Sequence, residues 1–109
     1  MITWLKNIIQ RIRIERELEA IKRAVDARIV YSNKGLNKWQ YVIKDIGVKI
    51  PGDCQFYTET YCVDCIAVGY AAYRHVFKLP DGTPHAHCVV TTQYGDYILD
   101  NRNKHVVKA

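Results

Sequence analysis

The chain has no long apolar run: nothing in its 109 residues approaches the roughly 20 consecutive apolar residues that a membrane-spanning helix needs. The first residues carry Lys6, Arg11 and Arg13, which interrupt any apolar core of a secretory signal. Internal repeats and low-complexity tracts are absent, which argues against solenoids and disordered tails. No second pair of metal ligands stands at finger-like spacing from Cys62-x-x-Cys65, so a zinc site built from these two with Cys88 or His87 has little support. Charge of one sign is not in large excess either. A formal net charge of +5 is compatible with an acidic partner, but no nucleic-acid-binding module accompanies it, and no nucleic acid is expected as a partner. The four cysteines, Cys54, Cys62, Cys65 and Cys88, lack a secretory context. They are read as free thiols in a reducing, cytoplasmic setting.

What remains is enough for one domain with one core. Residues 2 to about 28 read as helix. Leu5, Ile8, Ile9 and Ile12 form one apolar stripe, and Leu18, Ile21 and Val25 continue it with a shift near Ile14. The shift allows two shorter helices. Glu15, Glu17, Glu19, Arg16, Lys22 and Arg23 are expected on the other faces. Packing on the domain or on a second copy is the ordinary fate of such a stripe. With Trp4 and the flanking bases, peripheral contact of residues 2–14 with a membrane surface is the alternative.

Ile29-Val30-Tyr31 reads as a short extended piece, closed by a turn at Ser32-Asn33-Lys34-Gly35. Residues 37–46 read as a short helix with Trp39, Val42, Ile43 and Ile46 inward and Gly47 after its end. Val48 to Pro51 is an extended lead into Gly52-Asp53-Cys54. Asp53 has the chemistry of an N-cap, and the helix it opens is expected to run to about Val68, with Gly69 as its stop. Tyr57, Tyr61, Cys65 and Val68 would share one face. Tyr70 to Phe77 reads as a strand and Pro80-Asp81-Gly82-Thr83 as a hairpin turn. His85 to Thr91 is a second strand and Asp96 to Asp100 a third. Helices first and an antiparallel meander after them make an α+β pattern.

Cys54 in the first turn of a helix would meet unpaired amides and the positive end of the helix dipole, which favour a thiolate. A sulfur nucleophile needs a base and a group to orient that base. His85 or His87, followed by Asp100, can supply both. A four-residue loop at Thr91–Tyr94 would set His85 opposite Asp100. A tight loop centred on Tyr94-Gly95 would set Asp100 opposite Val89, with His87 as its diagonal neighbour. Residue patterning alone leaves both open, because His85 and His87 share a strand face.

Three motifs in order give the chain a resemblance over roughly residues 20–105: Gly52-Asp53-Cys54 opening a helix, His85-Ala86 before Val89-Val90, and Gly95-Asp96-Tyr97-Ile98-Leu99-Asp100-Asn101. It resembles the bacterial transglutaminase-like cysteine peptidase family. The resemblance implies a papain-like or transglutaminase-like fold, with residues 1–28 as an N-terminal helical segment and 29–109 as the catalytic core. It implies Cys54 as nucleophile, His85 as base and Asp100 as orienting acid, since the family has an apolar residue where His87 stands. The implied activity is hydrolysis or acyl transfer at a peptide or amide bond through a thioester, with a protein or peptide substrate, in a bacterium or in a virus of one. The alternative is a protein-binding effector on the same scaffold. Gln40, Gln55 and His87 are candidates for the oxyanion pocket or cleft. Some family members carry an acid directly after the nucleophile, where it helps to bind calcium. Here that residue is Gln55, and Asp53 alone is a poor calcium site, so no cofactor is expected. Only nine residues follow Asp100, so short substrate loops are expected.

Overall fold

The computed structural model describes residues 2–31 and 50–109. The turn expected at Ser32–Gly35, the helix expected over 37–46 with Trp39 and Gln40, and the start of the extended lead at Val48 lie outside these residues. The first element, α1 (Thr3–Arg28), is one continuous helix, not two. Two three-residue strands, β1 (Ile29–Tyr31) and β2 (Ile50–Gly52), pair in parallel, and α2 (Cys54–Ala67) follows. A four-stranded antiparallel sheet completes the domain: β3 (Ala71–Lys78), β4 (Pro84–Thr92), β5 (Gly95–Leu99) and β6 (Val107–Lys108), in that spatial order. The coarse α+β architecture is therefore as expected; β6 was too short to announce itself.

Local signals explain the edges of α2. The Asp53 carboxylate accepts the Phe56 amide at 3.0 Å, which satisfies one of the unpaired amides of the first turn. At the other end Gly69 takes a φ of 102°, where a side chain would be strained, and the chain turns into β3. The Tyr70 amide returns to the Cys65 carbonyl at 3.0 Å. Val68, expected inward, is exposed because the helix has already ended there.

The core lies between α2, the second half of α1 and one face of the sheet. Phe56, Tyr57, Tyr61, Cys62 and Cys65 from α2 meet Leu18 and Val25 from α1 and Cys88, Val90, Tyr97 and Leu99 from the sheet. Cys62 and Cys65 both lie in this core. Both approach Cys88, and the close contact pushes the Cys88 thiol far above its ordinary range while lowering that of Cys62. Lys22, expected on an outer face, is fully buried: its Nζ meets Asp26 at 2.6 Å and the Tyr61 hydroxyl at 3.4 Å. The Tyr61 hydroxyl donates in turn to Asp26, and the Tyr57 hydroxyl donates to the Ile29 carbonyl at 2.9 Å. A buried ammonium and two phenols are thereby all partnered, as burial demands.

Only the second half of α1 packs. Leu5, Ile8, Ile9 and Ile12 stay substantially exposed, and with them Ile2 and Trp4. The helix is tied to the sheet by polar side chains instead. Gln10 accepts from the Tyr94 hydroxyl, Glu15 from the Tyr97 hydroxyl, and Glu19 from the Val106 amide at 2.8 Å. Among the described residues no helix is long and apolar enough to cross a membrane.

Candidate functional site

Strand alternation fixes which side chains can meet. Cys88 and Val90 face α2, so Ala86 joins them on that face. His85, His87 and Val89 point to the opposite face, where β3 presents Phe77 across from His85 and His75 across from His87. Ring packing agrees: Phe77 lies 5.4 Å from the His85 ring and 4.7 Å from the His87 ring, between centroids.

The β4–β5 register is neither of the two expected ones. Thr92 pairs with Gly95 and Cys88 with Leu99, a two-residue loop at Gln93-Tyr94. One step further along this ladder Asp100 comes level with His87. His85 nevertheless makes the closer contact, because its ring reaches diagonally. His85 Nε2 lies 2.9 Å and 3.0 Å from the two Asp100 oxygens, while His87 Nδ1 lies 3.4 Å from Oδ2. A carboxylate can only accept, so Nε2 of His85 carries the proton in the neutral ring and Nδ1 is the nitrogen left to act as a base. His87 continues as a relay: its Nε2 stands 3.1 Å from His75 Nδ1. With Nδ1 of His87 turned to Asp100, His75 is the donor in that pair. Burial depresses the affinity of His87 for a proton, and this outweighs the opposing pull of Asp100.

Asp100 is the centre of the cluster and is 1% exposed. Burial alone would raise its pKa. The Arg102 guanidinium, the Arg102 amide and His85 outweigh that and hold it at about 2, against an ordinary 3.8. The Arg102 amide donates to Oδ1 at 2.9 Å and Nη2 to Oδ2 at 3.0 Å. The guanidinium also lies over the Phe77 ring, 5.8 Å from its centroid. Beside the cluster, Asn101 Oδ1 is buried and has no partner among the described residues. Arg102, His75 and Phe77 were not singled out in the sequence. Asp100-Asn101-Arg102 carried a signal for the first, since an Asp commonly bonds the amide two residues on.

Cys54 takes its expected place in the first turn of α2 and is partly exposed. Cys62, Cys65 and Cys88 are buried. The described residues include no hydrogen bond from Cys54 to either imidazole, and α2 packs on the sheet face opposite the two rings. Arg102 bridges the two: it grips Asp100, and a thiolate at Cys54 is close enough for its charge to help hold the guanidinium protonated. The structure thus joins His85, His87 and Asp100, gives Cys54 no hydrogen bond to either ring, and leaves Gln55, the next residue in the chain, exposed; Gln40 lies outside the described residues. No group of three His, Cys, Asp or Glu among the described residues is arranged to hold a metal ion.

The Asp100 cluster makes folding stability depend on pH, and the sign follows from the direction of the shift. A carboxyl depressed by folding contributes stability that is present above its unfolded value and lost as pH falls through its folded value. The shift from 3.8 to about 2 is worth about 2 kcal/mol. His87, whose proton affinity is also lowered, acts in the same direction below about pH 6.5. In urea unfolding at a series of pH values, Asp100→Asn is expected to lose about 2 kcal/mol of the stability gained between pH 2 and pH 5. An unchanged pH slope in the variant would show that the carboxylate is not held as described. No family model, curated protein or solved structure matches this chain.

Proposed function

We propose that the protein is a small thiol hydrolase or acyl-transferase, of cysteine-peptidase type, acting on a peptide or amide bond. The observation that carries this reading is the His85–Asp100 pair: a buried carboxylate, kept ionised by Arg102, fixes Nε2 of the imidazole and leaves Nδ1 for proton transfer. Cys54, partly exposed at the start of α2, is the nucleophile that pair would serve. The thiol proton passes to Nδ1 of His85 as sulfur attacks the carbonyl carbon. The helix-start amides face the oxygen that gains charge, with Gln55 as a side-chain candidate beside them. The imidazolium then protonates the leaving amine, and water or a second amine resolves the thioester. Sulfur and imidazole have to close on one another for this step. Free enzymes commonly hold such pairs loosely and tighten them on binding substrate.

A second reading has its own support. The sulfur makes no hydrogen bond to His85 or His87, and the rings lie on the sheet face away from α2. That arrangement favours a scaffold that grips a partner protein without turnover, with the histidine cluster as a structural and recognition element.

Trapping separates the two. A panel of peptidyl acyloxymethyl ketones, which alkylate an enzyme thiol from a bound substrate-like pose, is expected to add one label per chain. Mass spectrometry of the digest should find it at Cys54. Only His85-dependent labelling at Cys54 supports turnover. Labelling that survives His85→Gln reports mere access, and supports the scaffold.

A further inference from the structure

We infer that the first half of α1 is a docking face for an anionic lipid surface, independently of the chemistry proposed above. Six large apolar side chains, Ile2, Trp4, Leu5, Ile8, Ile9 and Ile12, stand 38–60% exposed. At about 100° per residue they make one continuous stripe, rotated away from the Leu18, Lys22 and Val25 face that enters the core. The hydrogen bonds that tie the helix to the sheet side of the domain come from Gln10, Glu15 and Glu19, and its packing comes from Leu18, Lys22 and Val25 on the other face.

Charge selects the occupant. Residues 2–14 hold Lys6, Arg11 and Arg13, all exposed, and no acid. On the helix, Lys6 and Arg13 run along one border of the stripe and Arg11 along the other. A helix lying in a membrane interface places apolar residues among the acyl chains and bases on both flanks, level with anionic headgroups. Trp4 is the residue type suited to that boundary. A second copy fits poorly. Two such stripes face to face would bring basic borders together, and the nearest acid, Glu15, is already engaged by Tyr97. The stripe is also a convex ridge, a shape that lipid accommodates and that a protein partner would have to meet with a groove.

Co-sedimentation of the full chain with vesicles tests this. Vesicles of mixed phosphatidylglycerol and phosphatidylcholine are expected to bind it at least roughly tenfold more tightly than phosphatidylcholine alone, and raised salt should weaken the binding. Lys6→Gln/Arg11→Gln/Arg13→Gln should weaken it by roughly a hundredfold, from about one kcal/mol per base. Ile8→Glu/Ile9→Glu should abolish it, with circular dichroism unchanged, because both positions are exposed. Equal binding to the two vesicle types, or binding that survives Ile8→Glu/Ile9→Glu, overturns the inference. So does a dimer in sedimentation equilibrium that is lost in the same variant, since the stripe would then serve a second copy.

Discussion

In the His85→Gln variant, alkylation of Cys54 by iodoacetamide at pH 6 is expected to slow by on the order of a hundredfold, whereas His87→Leu slows it by less than about tenfold. The asymmetry follows from the geometry around Asp100. His85 meets both carboxylate oxygens at 2.9 Å and 3.0 Å, while His87 stands 3.4 Å from one of them and is tied by its other nitrogen to His75. Among the described residues both nitrogens of His87 therefore have a partner, and His85 keeps Nδ1 for the thiol. Selectivity for Cys54 over the other thiols would carry no weight, because Cys62, Cys65 and Cys88 are shielded by burial whether or not the site is catalytic. The dependence on an imidazole is the informative quantity. The measurement is the second-order rate at the Cys54-containing peptide between pH 5 and pH 9. A larger effect from His87→Leu than from His85→Gln would transfer the base assignment to His87. No effect from either would leave the binding scaffold as the better reading.

How much of this was legible in the sequence depended on whether the deciding interaction was local. The start and stop of α2 were readable because Asp53 and Gly69 act within one turn of themselves. The hairpin at Pro80–Thr83 was readable for the same reason, and Gly82 takes its positive φ of 87° there. The partnership of His85 with Asp100 came from a resemblance, not from periodicity. Each of the two registers considered missed the true one by two residues along β4, one on either side of His87, and the diagonal reach of the His85 ring restored its contact with Asp100. Cys54 was placed at the right point of the chain, but its relation to the rings depends on which sheet face α2 covers, and alternation within β4 gives no absolute direction. Nor did the stripe along α1 say where the domain ends. Residues 18–25 meet the core and residues 2–12 pass beyond it with the same apolar spacing. Lys22 was misplaced because a charged residue at a core position is identified only by its distant partners, here Tyr61 from another helix.

That misplaced lysine gives the largest expected stability effect. Asp26→Ala should destabilise the protein by about 3 kcal/mol, whereas Lys22→Met should cost no more than about 1 kcal/mol. Lys22 has no exposed surface, and Asp26 accepts from it at 2.6 Å. Without Asp26 the ammonium keeps, among the described residues, the long contact to the Tyr61 hydroxyl and its place over the Tyr61 ring, and that hydroxyl loses its own acceptor. An unpaired charge shut away from water is what makes broken buried ion pairs costly. Removing the lysine instead leaves Asp26 with its Tyr61 bond and with solvent, since the Asp26 side chain is 32% exposed. The methionine fills the apolar path of the lysine stem. The two single variants remove the same ion pair, so equal losses in urea unfolding would contradict the account. The double variant Lys22→Met/Asp26→Ala should recover part of the loss seen in Asp26→Ala, because no buried charge is then left behind.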